Sequence, residues 1–175
     1  MAALPLDQTE QIVSRIVALL QQRERAVFAA RQSDLAQGLS PSVYVRHANL
    51  HIQQPDLGFM RQLAALDANH PAVATALDAM SYGIHLHISL HQQLLTALPV
   101  AGLSKLALTL SDHQGQAIWL CPKSVIGYSD VISLRPGTLL IAPRSLLTPL
   151  ASDVLTQRHM QWRSEERRVG KECLR

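Results

Sequence analysis

The chain has 175 residues, 47% of them apolar and 17% charged, with 16 Lys+Arg against 13 Asp+Glu for a formal charge of +3. That length and balance fit one folded domain with a real core, and exclude a disordered chain. No apolar run nears the ~18 residues that cross a bilayer, and the first ten residues have neither the basic nor the apolar region of a secretory leader. Two cysteines, Cys121 and Cys173, are too few for a disulfide framework and suit a reducing cytosol.

Residues 7–25 predict an amphipathic helix. Asp7 and Glu10 stand three apart, as in a capping box. Ile12, Val13, Ile16, Val17, Leu19 and Leu20 recur at helical spacing, opposite a face of Gln11, Ser14, Arg15, Gln21 and Gln22. We assign 1–28 to this element as a partner-docking segment, with the six apolar residues as its binding stripe. The competing reading is a helix packed on its own domain. Its Gln/Ser-rich polar face disfavours membrane binding. Residues 29–41, rich in Gln, Ser, Asp and Gly, read as a linker, so the domain is expected to span 42–162.

Val43-Tyr-Val45 and Ala48–Ile52 alternate as strands do, and His47 and His51 would then share a face. Pro55 opens a helix through Leu57, Met60, Leu63, Ala64 and Leu66. His70-Pro71 opens another through Val73, Leu77 and Met80, with Gly83 past its end. Residues 84–91 are the clearest strand: Ile84, Leu86, Ile88 and Leu90 alternate strictly with His85, His87, Ser89 and His91. A short helix over 92–98 stops at Pro99. Residues 106–110 and 116–120 flank Gly115 as a hairpin. Residues 125–134 are ambiguous, 138–142 form a buried strand, Thr148-Pro149 opens a last helix, and 159–162 end on a strand. The fold class is α/β or α+β: one domain, a mixed sheet flanked by helices. The hairpin excludes an all-parallel sheet.

Eight histidines invite a metal reading. His85, His87 and His91 are its candidates, but no carboxylate or thiolate stands beside them in sequence. A polar sheet face is the expectation, and no metal or cofactor is assigned. Cys121, across the hairpin from His113, reads as a small buried hydrophobe rather than a nucleophile. The helix start at Thr148 reads as an ordinary cap rather than an anion site. There is no Gly-rich phosphate loop, nucleophile elbow or zinc-protease motif. Seven aromatics and a nearly neutral body exclude nucleic acid as a partner. We identify no catalytic residues. The alternative from a different class is a cofactor- or nucleotide-binding α/β enzyme domain, against which the missing Gly-rich loop stands.

Residues 163–175 differ from the rest. Their five basic and three acidic residues carry +2 of the total +3, and Arg-Ser-Glu-Glu-Arg-Arg-Val-Gly-Lys-Glu-Cys reads as a translated sequencing adaptor. We treat this tail as foreign to the protein.

Taken together, Val45–Ile52, Tyr82–Leu95, Leu98-Pro-Val100 and Leu146–Asp153 resemble the PduM family of microcompartment proteins, over roughly residues 9–162. The resemblance implies a non-catalytic role in assembling or stabilising the shell around 1,2-propanediol degradation. It implies location in a bacterial microcompartment within the cytoplasm, and partners among shell or encapsulated proteins. The leading helix is similar to the short helices that target cargo to such shells. No catalytic residues carry over.

Overall fold

The computed structural model describes residues 6–165. Helix α1 (Leu6–Arg25) runs into strand β1 (Val27–Arg31), followed by α2 (Gln32–Ala36), α3 (Pro41–Arg46) and β2 (Asn49–Gln53). Next come α4 (Leu57–Ala64), α5 (Pro71–Ser81), β3 (His85–Leu90), a 3-10 helix (Gln92–Ala97), α6 (Val100–Leu103) and β4 (Leu108–Asp112). The last part holds β5 (Ala117–Cys121), β6 (Val125–Ile126), α7 (Tyr128–Val131), β7 (Gly137–Ile141), β8 (Leu146–Leu147), α8 (Pro149–Gln157) and β9 (Gln161–Ser164). Among the described residues no helix is long and apolar enough to cross a membrane.

Local signals start the helices where expected. Asp56 accepts a 2.7 Å hydrogen bond from the Phe59 N–H at the head of α4, and Thr148 accepts from the Ala151 N–H at the head of α8. Pro71 occupies the first turn of α5, and Gly83 follows with φ +74, a conformation costly for any residue with a Cβ. The cap expected from Asp7 involves a side chain outside the described ones.

Seven strands form one mixed sheet in the order β1-β2-β3-β4-β5-β7-β9, and β6 pairs with β8 separately. All neighbours in the main sheet are parallel except β4 and β5. Strand order follows chain order, so every crossover steps the same way across the sheet. Right-handed crossovers then keep the helices between β1 and β4 on one face. The β4–β5 hairpin reverses strand direction, and the same handedness sends α7 and α8 to the opposite face.

The buried side chains follow this geometry. Leu50, Ile52, Leu86, Ile88, Leu90, Leu110, Ile118 and Leu140 join Leu35, Phe59, Met60, Leu63, Val73 and Leu103 in the larger core. Leu139 and Ile141, one residue out of phase, join Val131, Ala151, Val154 and Leu155 in the smaller core on the other face. The face of β2–β4 opposite the larger core carries His51, His85, His87, Ser89, Thr109 and Ser111 in place of apolar residues.

Three expectations change. Residues 29–41 are not a linker: they complete β1 and form α2, with Ala30 and Leu35 in the larger core. The sheet therefore begins at Val27, not after residue 41. β1 is an edge strand in which Ala30 alone is fully buried, so it lacks the strong apolar alternation that marks central strands. Val43-Tyr-Val45 is not a strand but part of α3, because Ser40-Pro41 supplies a helix start and the Val43 N–H bonds the Ser40 carbonyl. His47 thereby leaves the strand and ends α3, with Nδ1 at 3.2 Å from the Val43 carbonyl. Finally, β9 runs past Trp162 into Arg163 and Ser164, and Glu165 accepts a bond from the Val100 N–H. The remainder of the tail read as foreign, residues 166–175, lies outside the described residues.

Candidate functional site

Every residue from Gln8 to Gln22 on α1 is exposed. The predicted stripe is out in water: Ile12 50%, Val13 52%, Ile16 50%, Val17 45%, Leu19 58% and Leu20 57% exposed. A helix packed on its own domain would bury such a face. The helix is instead fastened at its base. The Arg23 guanidinium donates to the Tyr44 carbonyl, the Ala48 N–H donates to the Arg23 carbonyl at 3.0 Å, and Asn49 Nδ2 donates to the Glu24 carbonyl at 2.8 Å. Arg23 and Arg25 in the last turn favour the negative end of the helix dipole. A cleft of about 570 Å³ beside this base is lined by Leu19, Gln22, Ala26, Val45 and His47. Val45 is 72% exposed, so the apolar surface of α1 continues onto α3.

Completing the burial of six half-exposed aliphatic side chains is worth roughly 1 kcal/mol each. That sum is enough to offset part of the cost of association, which runs to several kcal/mol. Contiguous apolar surface on one helix face suits a groove in another protein.

The histidines occupy the open sheet face. His51 lies beside His87 across the β2–β3 pair, rings 4.9 Å apart. His51 Nε2 bonds Ser89 Oγ at 3.0 Å. His87 is held at both ends, Nδ1 to Thr109 Oγ1 at 2.9 Å and Nε2 to Ser111 Oγ at 3.0 Å. His85 Nε2 reaches the same Thr109 hydroxyl at 3.2 Å. Burial lowers the pKa of His87 below the usual imidazole value, and His51 and His85 add to the shift. His91 does not join His85 and His87: it stacks on His113 at 5.2 Å and accepts from the Gln93 N–H at the start of the 3-10 helix.

The ring nitrogens of His87 are thus engaged by hydroxyls rather than turned toward a common point. Among the described residues, no group of three or more His, Cys, Asp or Glu side chains is placed to hold a metal ion. Sequence spacing identified the shared face of His85 and His87. It placed Ser89 on that face too, but missed Thr109 and Ser111 of β4, whose positions depend on strand register. Cys121 is half-buried at the end of β5, beside the smaller core, and His113 stacks on His91 rather than reaching it.

Comparison with known proteins places the chain among relatives. The family model PDU_like, described as putative propanediol utilisation, matches residues 11–161, from within α1 to the start of β9. The bacterial microcompartment assembly protein PduM of Citrobacter freundii is 31% identical over 157 residues, covering 90% of this chain and 96% of the relative. The protein of the same name from Salmonella typhimurium matches at the same identity and coverage. No solved structure matches the chain significantly.

Proposed function

The chain belongs to the PDU_like family of putative propanediol utilisation proteins, with its PduM relatives, and from that premise we propose that it assembles or stabilises a bacterial microcompartment for 1,2-propanediol degradation without itself being an enzyme. It works inside the cytoplasm by holding other proteins together. Its α1 stripe docks in a groove of a shell or encapsulated protein, while the sheet domain positions the helix.

The observation that carries this reading is the exposure of Ile12, Val13, Ile16, Val17, Leu19 and Leu20 on a helix fastened at its base. So apolar a face in water contributes nothing to the monomer's stability, and its burial in a partner gives binding energy. The family match supports the role, since it begins within α1 and so includes the stripe.

The test is co-purification with intact microcompartments from cells expressing the whole operon. Ile16→Asp places a charge in the centre of the stripe, where burial without a partner charge is costly. Its association is expected to fall at least tenfold while its thermal midpoint stays within about 1 °C of the unaltered chain. Equal recovery of the variant would mean that the stripe is not the anchor.

A further inference from the structure

β4 and β5 are paired only at Leu110↔Ile118 and Ser111↔Ala117. β4 already lies against β3 from Leu108, and β5 stays with β7 as far as Cys121. The two strands therefore part on the Leu108 and Leu120 side, and a cavity of about 460 Å³ occupies the split. This is where the helices change faces, so neither layer covers it fully. Leu106, Leu108, Leu110, Ile118 and Leu120 form its walls, with Leu103 of α6 behind them. Leu106, Leu108 and Leu120 are only half-buried, so the cavity reaches solvent.

One end is polar. Ser111, Thr109 and His87 line it from the open sheet face. Ser111 is 6% exposed, and among the described residues its hydroxyl has a single side-chain partner, His87 Nε2 at 3.0 Å. A hydroxyl offers one donor and two acceptor positions, so bonding capacity remains. Among the described residues, no Lys, Arg, Asp or Glu lines the cavity. His87, its one imidazole, favours the neutral form because burial and the neighbouring His51 and His85 disfavour charge. An ionic ligand would lose hydration here without gaining a counter-charge. The volume falls within the range of small-molecule sites, which are apolar with a few convergent polar groups.

We propose that the split between β4 and β5 is a binding site for a small uncharged molecule with an apolar body and one hydroxyl or carbonyl end, anchored at Ser111. This site is separate from the α1 stripe and stands or falls independently of the assembly role.

Cyclohexanol is a suitable probe, added to the full chain and followed by amide chemical shifts. Saturable shifts are expected at residues 106–111 and 117–120. Cyclohexanecarboxylate, of the same shape but charged, is expected to leave them unmoved. Ser111→Ala should weaken cyclohexanol about fivefold, the worth of one hydrogen bond. Leu106→Trp should fill the space and abolish the response, and Leu108→Phe serves if that variant does not fold. Non-saturating shifts, shifts elsewhere on the surface, equal binding of the carboxylate, or binding that survives a folded cavity-filling variant would each overturn the proposal.

Discussion

Asp112 is a buried carboxylate that closes the β4–β5 turn. Its Oδ1 accepts from the Gln114 and Gln116 N–H groups at 2.8 Å each, and its Oδ2 accepts from Gln92 Nε2 at 2.9 Å. Burial pushes its pKa up, but these bonds and the nearby His113 outweigh burial and hold it below the usual carboxylate value. A depressed carboxylate pKa stabilises the fold above the unfolded value, and that contribution is lost as pH falls through the folded one. Asp112→Ala should therefore cost about 2 kcal/mol in urea denaturation at pH 7, with a gap that narrows toward pH 3. A gap independent of pH would contradict this account. His87 acts in the range above. Its folded pKa is lower than the ordinary 6.5, so the unfolded chain binds more protons as pH drops. Its contribution is present above about 6.5 and lost toward the lower folded value. His87→Gln should flatten the dependence of stability on pH as pH falls below 6.5, read from thermal midpoints.

Packing between elements is tight where α6 meets α4. Gly102 in α6 lies so close to α4 that a Cβ there would sit 2.7 Å from the Ala64 Cβ and 2.8 Å from its carbonyl oxygen. Gly102→Val should destabilise by about 2 kcal/mol, because backbone must move. Adding Ala64→Gly removes only one of the two clashes, so a double-mutant cycle should show partial recovery. Full recovery would mean that the carbonyl yields easily. At this scale the legible elements are those with strong local pattern. β3 alternates over Ile84–Leu90 because one of its faces is core and the other polar. α1 shows its stripe because six aliphatic residues repeat on one side. β1 was hidden because Val27-Phe-Ala-Ala-Arg31 lies at an edge, where burial writes little into sequence. α3 was hidden because three residues alternate equally well in either form, and Ser40-Pro41 decided the matter. The polar composition of the histidine face was half legible: parity put His85, His87 and Ser89 together, but only register brought His51, Thr109 and Ser111 to them.

Across the whole molecule, one hairpin divides the sheet into halves whose cores lie on opposite faces. That division follows from strand direction and crossover hand, which no residue pattern states. Among the described residues, the larger core gathers 22 buried residues and the smaller one eight. The halves are joined by two paired rungs of β4 and β5, by Ile118 and Leu140 reaching the larger core, and by the Glu165–Val100 bond. Protection against local opening grows with buried apolar contact. The half built from β7, α7, α8 and β9 should therefore open below the free energy of global unfolding. Native-state hydrogen exchange should find the amides of β7 and α8 exchanging through a smaller opening than those of β2 and β3. Val154→Ala, which removes two methyl groups from the smaller core, should lower that opening further by about 1 kcal/mol. The amides of β2 and β3 should change less. Equal protection in both halves, or an equal loss in both on Val154→Ala, would show that the narrow β4–β5 junction still transmits the full cooperativity of the sheet.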